Sequence, residues 1–230
     1  MEPVAHPAKP ARIPEPTLRR LAGYYRYFRD LQARGAHSVS CVAVGDELDL
    51  EPTLVRKDLE SISIVGRRRV GFTLSELIAG IEANLGYNGL NRGFLVGAGN
   101  LGTALLRYRQ FRQYGLEIVA AFDTASSRVG ERIGDLDVRH LRDLPELARD
   151  SQPQLGIVTV PAEEAQYVVD LLIGNGVVAI WNFAPVTLRV PPAVIVQNED
   201  LYQSLATLSH RLVMKHAGAL KQLPAETCTQ

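Results

Sequence analysis

The stretch Arg92–Thr103, RGFLVGAGNLGT, constrains the fold more than any other part of this 230-residue chain. Gly93-Phe94-Leu95-Val96 is a short apolar run of the kind buried in the middle of a sheet. It leads directly into Gly97-Ala98-Gly99-Asn100-Leu101-Gly102, and Ala104 to Tyr114 is predicted as the helix that follows. Strand, G-x-G-x-x-G turn and helix in this order make the dinucleotide-binding fingerprint. Gly97 allows the tight turn, Gly99 lets the backbone approach a pyrophosphate, and Gly102 lets the helix pack against the strand. Free N–H groups and a partial positive charge at the helix N-terminus complete an anion site. A second strand, Glu117 to Phe122, ends in Asp123. From there a carboxylate can bond both hydroxyls of an adenine ribose, and it repels a 2′-phosphate. The pattern points to NAD(H) rather than NADP(H).

The chain beyond Asp123 continues the alternation. A polar loop to about Gly134 is followed by a short strand near Asp137–Arg139 and a helix from Pro145 to Arg149. Gln154–Val160 is predicted as the fourth strand, Ala162–Gly174 as its helix, Val177–Trp181 as the fifth strand and Ala193–Val196 as the sixth. A terminal helix from Leu201 to Ala219 carries an apolar stripe of Leu201, Leu205, Leu208 and Leu212. This is an α/β pattern, a doubly wound parallel sheet. Ligands on such sheets sit at the carboxyl ends of the strands. The candidates there are Asp123, Thr159-Val160-Pro161 and Asn182-Phe183-Ala184-Pro185. None supplies an obvious proton donor or base for hydride chemistry. His140 falls on a connection and His210 and His216 on a helix, where solvated histidines are the commoner outcome. A cofactor site without a catalytic apparatus argues for a sensor.

The front of the chain supplies an output. Residues 1–72 hold 12 Lys+Arg against 9 Asp+Glu, whereas the whole chain is formally neutral. A mildly basic front on a mildly acidic body permits a nucleic-acid partner. Residues 1–13 are expected to be a flexible leader. Pro14-Glu15-Pro16-Thr17 then starts a helix with the stripe Leu18, Leu21, Tyr25, Phe28 and Leu31, ended by Gly35. Ser40 can cap a short helix through Leu48, and Glu51-Pro52-Thr53 opens another from Leu54 to Glu60 carrying Arg56 and Lys57. This is a helix-turn-helix outline. Ser61 to Phe72 is predicted as a β-hairpin wing with Arg67, Arg68 and Arg69 at its tip, suited to phosphate contacts. Thr73-Leu74-Ser75-Glu76 has the form of a capping box for a helix through Leu85, and Gly86–Gly89 marks a domain boundary. Two cysteines, Cys41 and Cys228, give neither a disulfide framework nor a metal spacing, and Cys41 is expected to be buried. No apolar run matches a membrane span or a signal peptide, and the expected location is the cytosol.

Over residues 14 to about 212 the chain resembles the Rex family of redox-sensing transcriptional repressors. The motifs that carry the resemblance are Arg56-Lys57-Asp58-Leu59, Val96 through Gly102, Phe122-Asp123 with Val129-Gly130, Thr159-Val160-Pro161, Asn182 through Pro185, and Asn198-Glu199-Asp200. The resemblance implies a winged-helix domain (14–86), a Rossmann domain (87–198), a C-terminal helix swapped between the protomers of a homodimer (199–219), and a flexible tail (220–230). It implies repression of genes for fermentation and respiration through an AT-rich inverted repeat in double-stranded DNA. DNA binding is favoured with NAD⁺ or no ligand, and NADH releases it. The implied cofactor contacts are Gly97, Ala98, Gly99, Asn100, Leu101, Gly102, Asp123, Thr159, Val160, Pro161, Asn182, Phe183 and Ala184. The expected DNA contacts are Ser40, Thr53, Arg56, Lys57, Arg67, Arg68 and Arg69, the three wing arginines on their charge and place rather than on the resemblance, and the implied polar switch is Arg26, Tyr108 and Asp200. Ser63, Arg69 and Phe72 stand at three places where the family wing usually has glycines and a final tyrosine, and Leu201 stands where it has phenylalanine. Two rival readings stay open: an NAD-dependent dehydrogenase with a helical extension, and an NAD(H)-binding modulator acting through a protein partner.

Overall fold

Prolines and glycines set the limits of the first helices. The computed structural model describes residues 13–66 and 71–220. Helix α1 (Glu15–Ala33) has prolines at its start, and Gly35 follows it in the left-handed region at φ 83°. Its buried face is Thr17, Leu21, Tyr24, Tyr25 and Phe28, so Tyr24 joins the predicted stripe while Leu18 and Leu31 are only half-buried. The hydroxyl of Ser40 accepts the Ala43 N–H at 3.1 Å and caps α2 (Cys41–Leu48), as expected. Pro52 opens α3 (Pro52–Ser61), and α4 (Leu74–Leu85) stops at Gly86, φ 75°. Strands β1 (Ser38–Val39) and β2 (Phe72–Thr73) pair antiparallel, closing the four helices into one core.

The chain divides into two compact units. The first reaches residue 90 and takes in Gln110–Leu116, and the second comprises Asn91–Arg109 and the chain from Glu117. The returning segment is held inside the first unit by aromatic packing. The Tyr114 ring sits edge-on to Tyr25 and Tyr87, with centroids 5.9 and 5.4 Å away. Tyr25 donates its hydroxyl proton to Glu82 at 2.8 Å.

The second unit is a seven-stranded sheet in the order β5-β6-β4-β3-β7-β8-β9, made of β3 (Asn91–Val96), β4 (Leu116–Asp123), β5 (Arg132–Ile133), β6 (Leu136–His140), β7 (Leu155–Val158), β8 (Ala179–Asn182) and β9 (Ile195–Asn198). β5 runs antiparallel to β6, while the registered β3–β7, β4–β6, β7–β8 and β8–β9 pairs are parallel. Alternation along β4 splits the core. Ala120 and Phe122 join Phe94, Val96 and Val158 under α6 (Leu144–Ser151) and α7 (Ala162–Gly174), whereas Ala121 packs with Val138 and Leu106 of α5 (Asn100–Arg107) on the other face. Helices on both faces of a mainly parallel sheet make the doubly wound α/β fold. Helix α8 (Leu201–Leu220) closes the described chain. No described helix is long and apolar enough to cross a membrane.

Several sequence expectations need correction. The helix after the glycine loop spans Asn100–Arg107 rather than Ala104–Tyr114. Beyond it a 3-10 turn, Arg109–Tyr114, enters the first unit's aromatic packing. The alternating Ile62 and Ile64 form no strand: Ile62 caps α3 and is buried, and Ser63 takes φ 62°. Arg67, Arg68 and Arg69 lie outside the described residues, and only the return of the proposed wing, β2, is seen. Thr73 occupies the N-cap of α4 without a side-chain cap bond, because it is still paired with Ser38 in the strand.

Candidate functional site

Strand β3 lies between β4 and β7. The chain passes from β3 through α5 to β4, and returns to the other side of β3 only after β6 and α6. That reversal opens a crevice at the carboxyl ends of the strands. Gly97 turns out of β3 at φ 103°, and its N–H donates to the Phe122 carbonyl at 2.8 Å. A Cβ there would lie 2.8 Å from the Thr159 carbonyl group. A Cβ on Gly102 would collide with the Gly97 carbonyl oxygen, so helix and turn can be this close only with glycine. Thr159 fastens the same turn from β7, donating its hydroxyl proton to Gly97 O at 2.7 Å and Val96 O at 3.0 Å. Gly99 is different: nothing stands within 4 Å of its absent Cβ. The open space over Gly99 and the first N–H groups of α5 form the cradle a pyrophosphate requires.

Asp123 ends β4 beside this loop. Its carboxylate accepts the Ala98 N–H at 2.7 Å and the Ala125 N–H at 2.8 Å, one bond on each oxygen. Each oxygen keeps a lone pair for a neighbouring hydroxyl. Two cavities of the second unit flank the loop. One of about 250 Å³ is lined by Gly97, Gly99, Asp123, Thr159, Val160, Pro161 and Glu164. The other, about 620 Å³, is lined by Leu101, Phe183, Ala184, Pro185, Asn198 and Asp200. A two-ended ligand with a diphosphate at its middle fits this arrangement, and the donor set suits an adenine dinucleotide.

Asn182, an expected cofactor contact, turns its side chain inward. It is buried at the end of β8, where its amide donates to Asn198 Oδ1 at 2.9 Å and to the Ala184 and Val186 carbonyls at 3.1 and 3.2 Å. Its own oxygen accepts the Ala184 N–H at 3.0 Å. The side chain therefore shapes the 183–186 loop from within, and Phe183 and Ala184 line the cavity. His140, at the end of β6, accepts the Arg142 N–H at 3.1 Å through Nδ1. Asp200 is exposed and caps α8, accepting the Tyr202 N–H at 2.8 Å and the Gln203 N–H at 3.3 Å. Tyr108 ends α5 and is 47% exposed, and Arg26 is exposed on α1 of the first unit.

On the first unit, Ser40, Thr53, Arg56 and Lys57 are all exposed at the starts of α2 and α3, while Val55, Asp58 and Leu59 turn inward. A cavity of about 540 Å³ lies beside them, lined by Ser40, Val42, Arg56, Gly66 and Phe72. Cys41 is buried as expected; burial pushes its thiol up, and the hydrogen bond from Arg56 works against that. Sequence reading missed the cluster around Asp58. Burial opposes its ionisation, but hydrogen bonds from Arg20, Tyr24 and Thr17 hold the carboxyl below its ordinary value. The available signal was an aspartate in helical register with Val55 and Leu59, on the apolar face of its helix.

Residues 12–60 match a family model described as a putative DNA-binding protein N-terminus, and residues 91–186 match the CoA binding domain. The redox-sensing transcriptional repressor Rex of Bacteroides fragilis is 39% identical over 201 residues, covering 87% of this chain and 91% of that protein. The Rex repressor of Rhodopirellula baltica is 40% identical over 202 residues, 88% of this chain and 85% of its own length. The chain belongs to the Rex family of redox-sensing transcriptional repressors. Among solved structures, the Rex-family repressor RSP in complex with β-NAD⁺ and operator DNA matches with a TM-score of 0.82 at 30% identity, over 94% of this chain and 99% of that one. RSP in complex with β-NADH matches with a TM-score of 0.80 at 29% identity, over 92% and 99%. Against the Rex pattern, Ser63 stands at a usual glycine position and keeps a left-handed backbone there. Phe72 is buried, its ring so near Gly66 that a Cβ on Gly66 would lie 2.8 Å from it. The side chain of Leu201 lies outside the described residues.

Proposed function

We propose that this protein is a cytoplasmic repressor that binds an AT-rich inverted repeat in double-stranded DNA through its first unit and releases it when NADH replaces NAD⁺ in its second. The observation that carries this reading is the crevice at β3, with an open Gly99 and an Asp123 carboxylate pre-set by two backbone N–H groups, in a chain that also carries an exposed Arg56-Lys57 pair on a helix-turn-helix. NAD(H) supplies the signal when bound. Gly97 to Gly102 receive its pyrophosphate, Asp123 its adenine ribose, and Phe183 and Ala184 the nicotinamide end. Ser40, Thr53, Arg56 and Lys57, with Arg67, Arg68 and Arg69 of the wing, contact DNA. A carboxylate against the adenine ribose favours NAD(H) over NADP(H).

Repressor binding to an inverted repeat requires a two-fold dimer. Helix α8 supports one: Leu205, Leu208, Leu212, Val213 and Met214 are all about half or more exposed, an apolar surface that a second copy would cover by exchanging this helix. Arg26, Tyr108 and Asp200 act as the polar switch, since an Arg–carboxylate pair made in only one dimer state biases that state. Replacing Arg56 and Lys57 together with alanine tests the division of labour. Duplex binding should fall while calorimetric NADH binding stays at the wild-type value. Unchanged duplex binding, or loss of both activities in a folded protein, would contradict it.

A further inference from the structure

Asp58 sits on α3 directly after the exposed Arg56-Lys57 pair, yet it is only 3% exposed. Its carboxylate takes four hydrogen bonds, all from α1: Arg20 Nε to Oδ2 at 2.6 Å, Arg20 Nη2 to Oδ1 at 2.8 Å, the Tyr24 hydroxyl to Oδ2 at 2.8 Å and the Thr17 hydroxyl to Oδ1 at 3.2 Å. Thr17, Arg20 and Tyr24 follow at three- and four-residue steps, so one face of α1 grips one side chain of α3. Arg20 Nη2 also reaches the Thr17 hydroxyl at 3.2 Å, which closes the network.

A buried ion pair is a poor device for stability, because desolvation offsets most of its attraction and apolar side chains of similar volume do as well. It is a good device for register. Apolar packing of Val55 and Leu59 in the core holds the helices together but permits them to slide and roll. A planar guanidinium fork on a carboxylate is directional and allows one arrangement. Arg56 and Lys57 are the two residues immediately before the gripped aspartate, so whatever fixes Asp58 fixes the directions in which they leave the helix.

We propose that Asp58, held by the Arg20 fork, is the positioning residue that sets the register of the recognition helix, and so governs discrimination between operator and other DNA more than overall affinity. This rests on the DNA-binding reading above. Direct base contacts depend on side-chain placement, whereas phosphate contacts tolerate small shifts.

The test measures binding of the full-length chain to a duplex with an AT-rich inverted repeat and to a scrambled duplex of equal composition. The proteins are the wild type, Asp58→Asn, Arg20→Lys and, as a control, Glu15→Gln, which breaks an exposed ion pair with Arg19 on the same helix. Circular dichroism reports folding. Arg20→Lys keeps the charge but not the fork, and it keeps the question answerable if Asp58→Asn fails to fold. Folded Arg20→Lys should lose on the order of tenfold in the ratio of repeat to scrambled affinity, the size of one lost base contact, while scrambled binding and its salt slope stay the same. Glu15→Gln should keep the ratio. A folded Arg20→Lys protein with the wild-type ratio, or equal losses on both duplexes, would overturn the proposal. A wild type that binds neither duplex would instead remove the DNA-binding reading, and this proposal with it.

Discussion

Replacing Asp123 with asparagine asks the most of the nucleotide crevice. The carboxylate accepts Ala98 N–H at 2.7 Å on one oxygen and Ala125 N–H at 2.8 Å on the other. Asparagine keeps the shape but has one oxygen, so whichever way its amide turns, an NH₂ faces one of those backbone donors. The charge that strengthens bonds to two ribose hydroxyls is lost as well. Hydrogen bonds to a charged partner contribute about 1.5–3 kcal/mol each, and neutral ones about 1 kcal/mol. Weakening two ribose bonds and disturbing the Ala98 anchor should therefore cost about 2–3 kcal/mol of NADH binding, roughly 30- to 160-fold in Kd. Titration calorimetry with NADH and NADPH reads this directly. Affinity for NADPH should fall less or rise, because the carboxylate that repels a 2′-phosphate is gone. An Asp123→Asn protein that is folded and binds NADH with the wild-type Kd would refute the assignment.

Two glycines of the same loop should behave oppositely. Gly102→Ala meets the Gly97 carbonyl and should destabilise the fold by about 1–3 kcal/mol in denaturant titrations. Gly99→Ala meets nothing and should leave stability unchanged while NADH affinity drops. In the first unit, Ser63→Gly relieves a left-handed serine at φ 62°. Thermal unfolding should show a gain of about 0.5–1 kcal/mol after glycine's greater unfolded-state entropy is subtracted, and a lower midpoint would contradict this. Burial, and then the bond to Glu82, push the Tyr25 hydroxyl from 10.0 to about 12. The folded state holds that proton more tightly than the unfolded chain, so the stability it brings is full below pH 10 and is lost as pH rises through about 12. Alkaline unfolding curves should show the loss, and Tyr25→Phe should reduce it.

The sheet and its crevice were legible because each rests on local rules. An apolar run before G-x-G-x-x-G, an acid ending the next strand, and a helix spanning Ala162–Gly174 as predicted all follow from neighbouring residues. What escaped notice depends on distant partners. Ala104 to Tyr114 reads as one continuous helix, but Tyr114 packs against Tyr25 and Tyr87, and the helix ends at Arg107. Strand β5 has two residues and exists only through its pairing with β6. Ile62 and Ile64 alternate like a strand, yet Ile62 is buried beneath the end of α3. Asn182 is expected at the ligand because it stands at a strand's carboxyl end. Only tertiary structure reveals that its amide is fully engaged with Ala184, Val186 and Asn198. Asp58 was legible as part of a motif, but its four partners on α1 were not.

The most direct test of the account is the fluorescence anisotropy of a labelled AT-rich palindromic duplex, titrated with the protein alone, with NAD⁺ and with NADH at fixed salt. The account predicts tight binding by the free and NAD⁺-bound protein and release by NADH alone, a coupling of about 1–3 kcal/mol or more. Tight binding indifferent to both nucleotides, or none in any form while calorimetry still detects bound NADH, would contradict it.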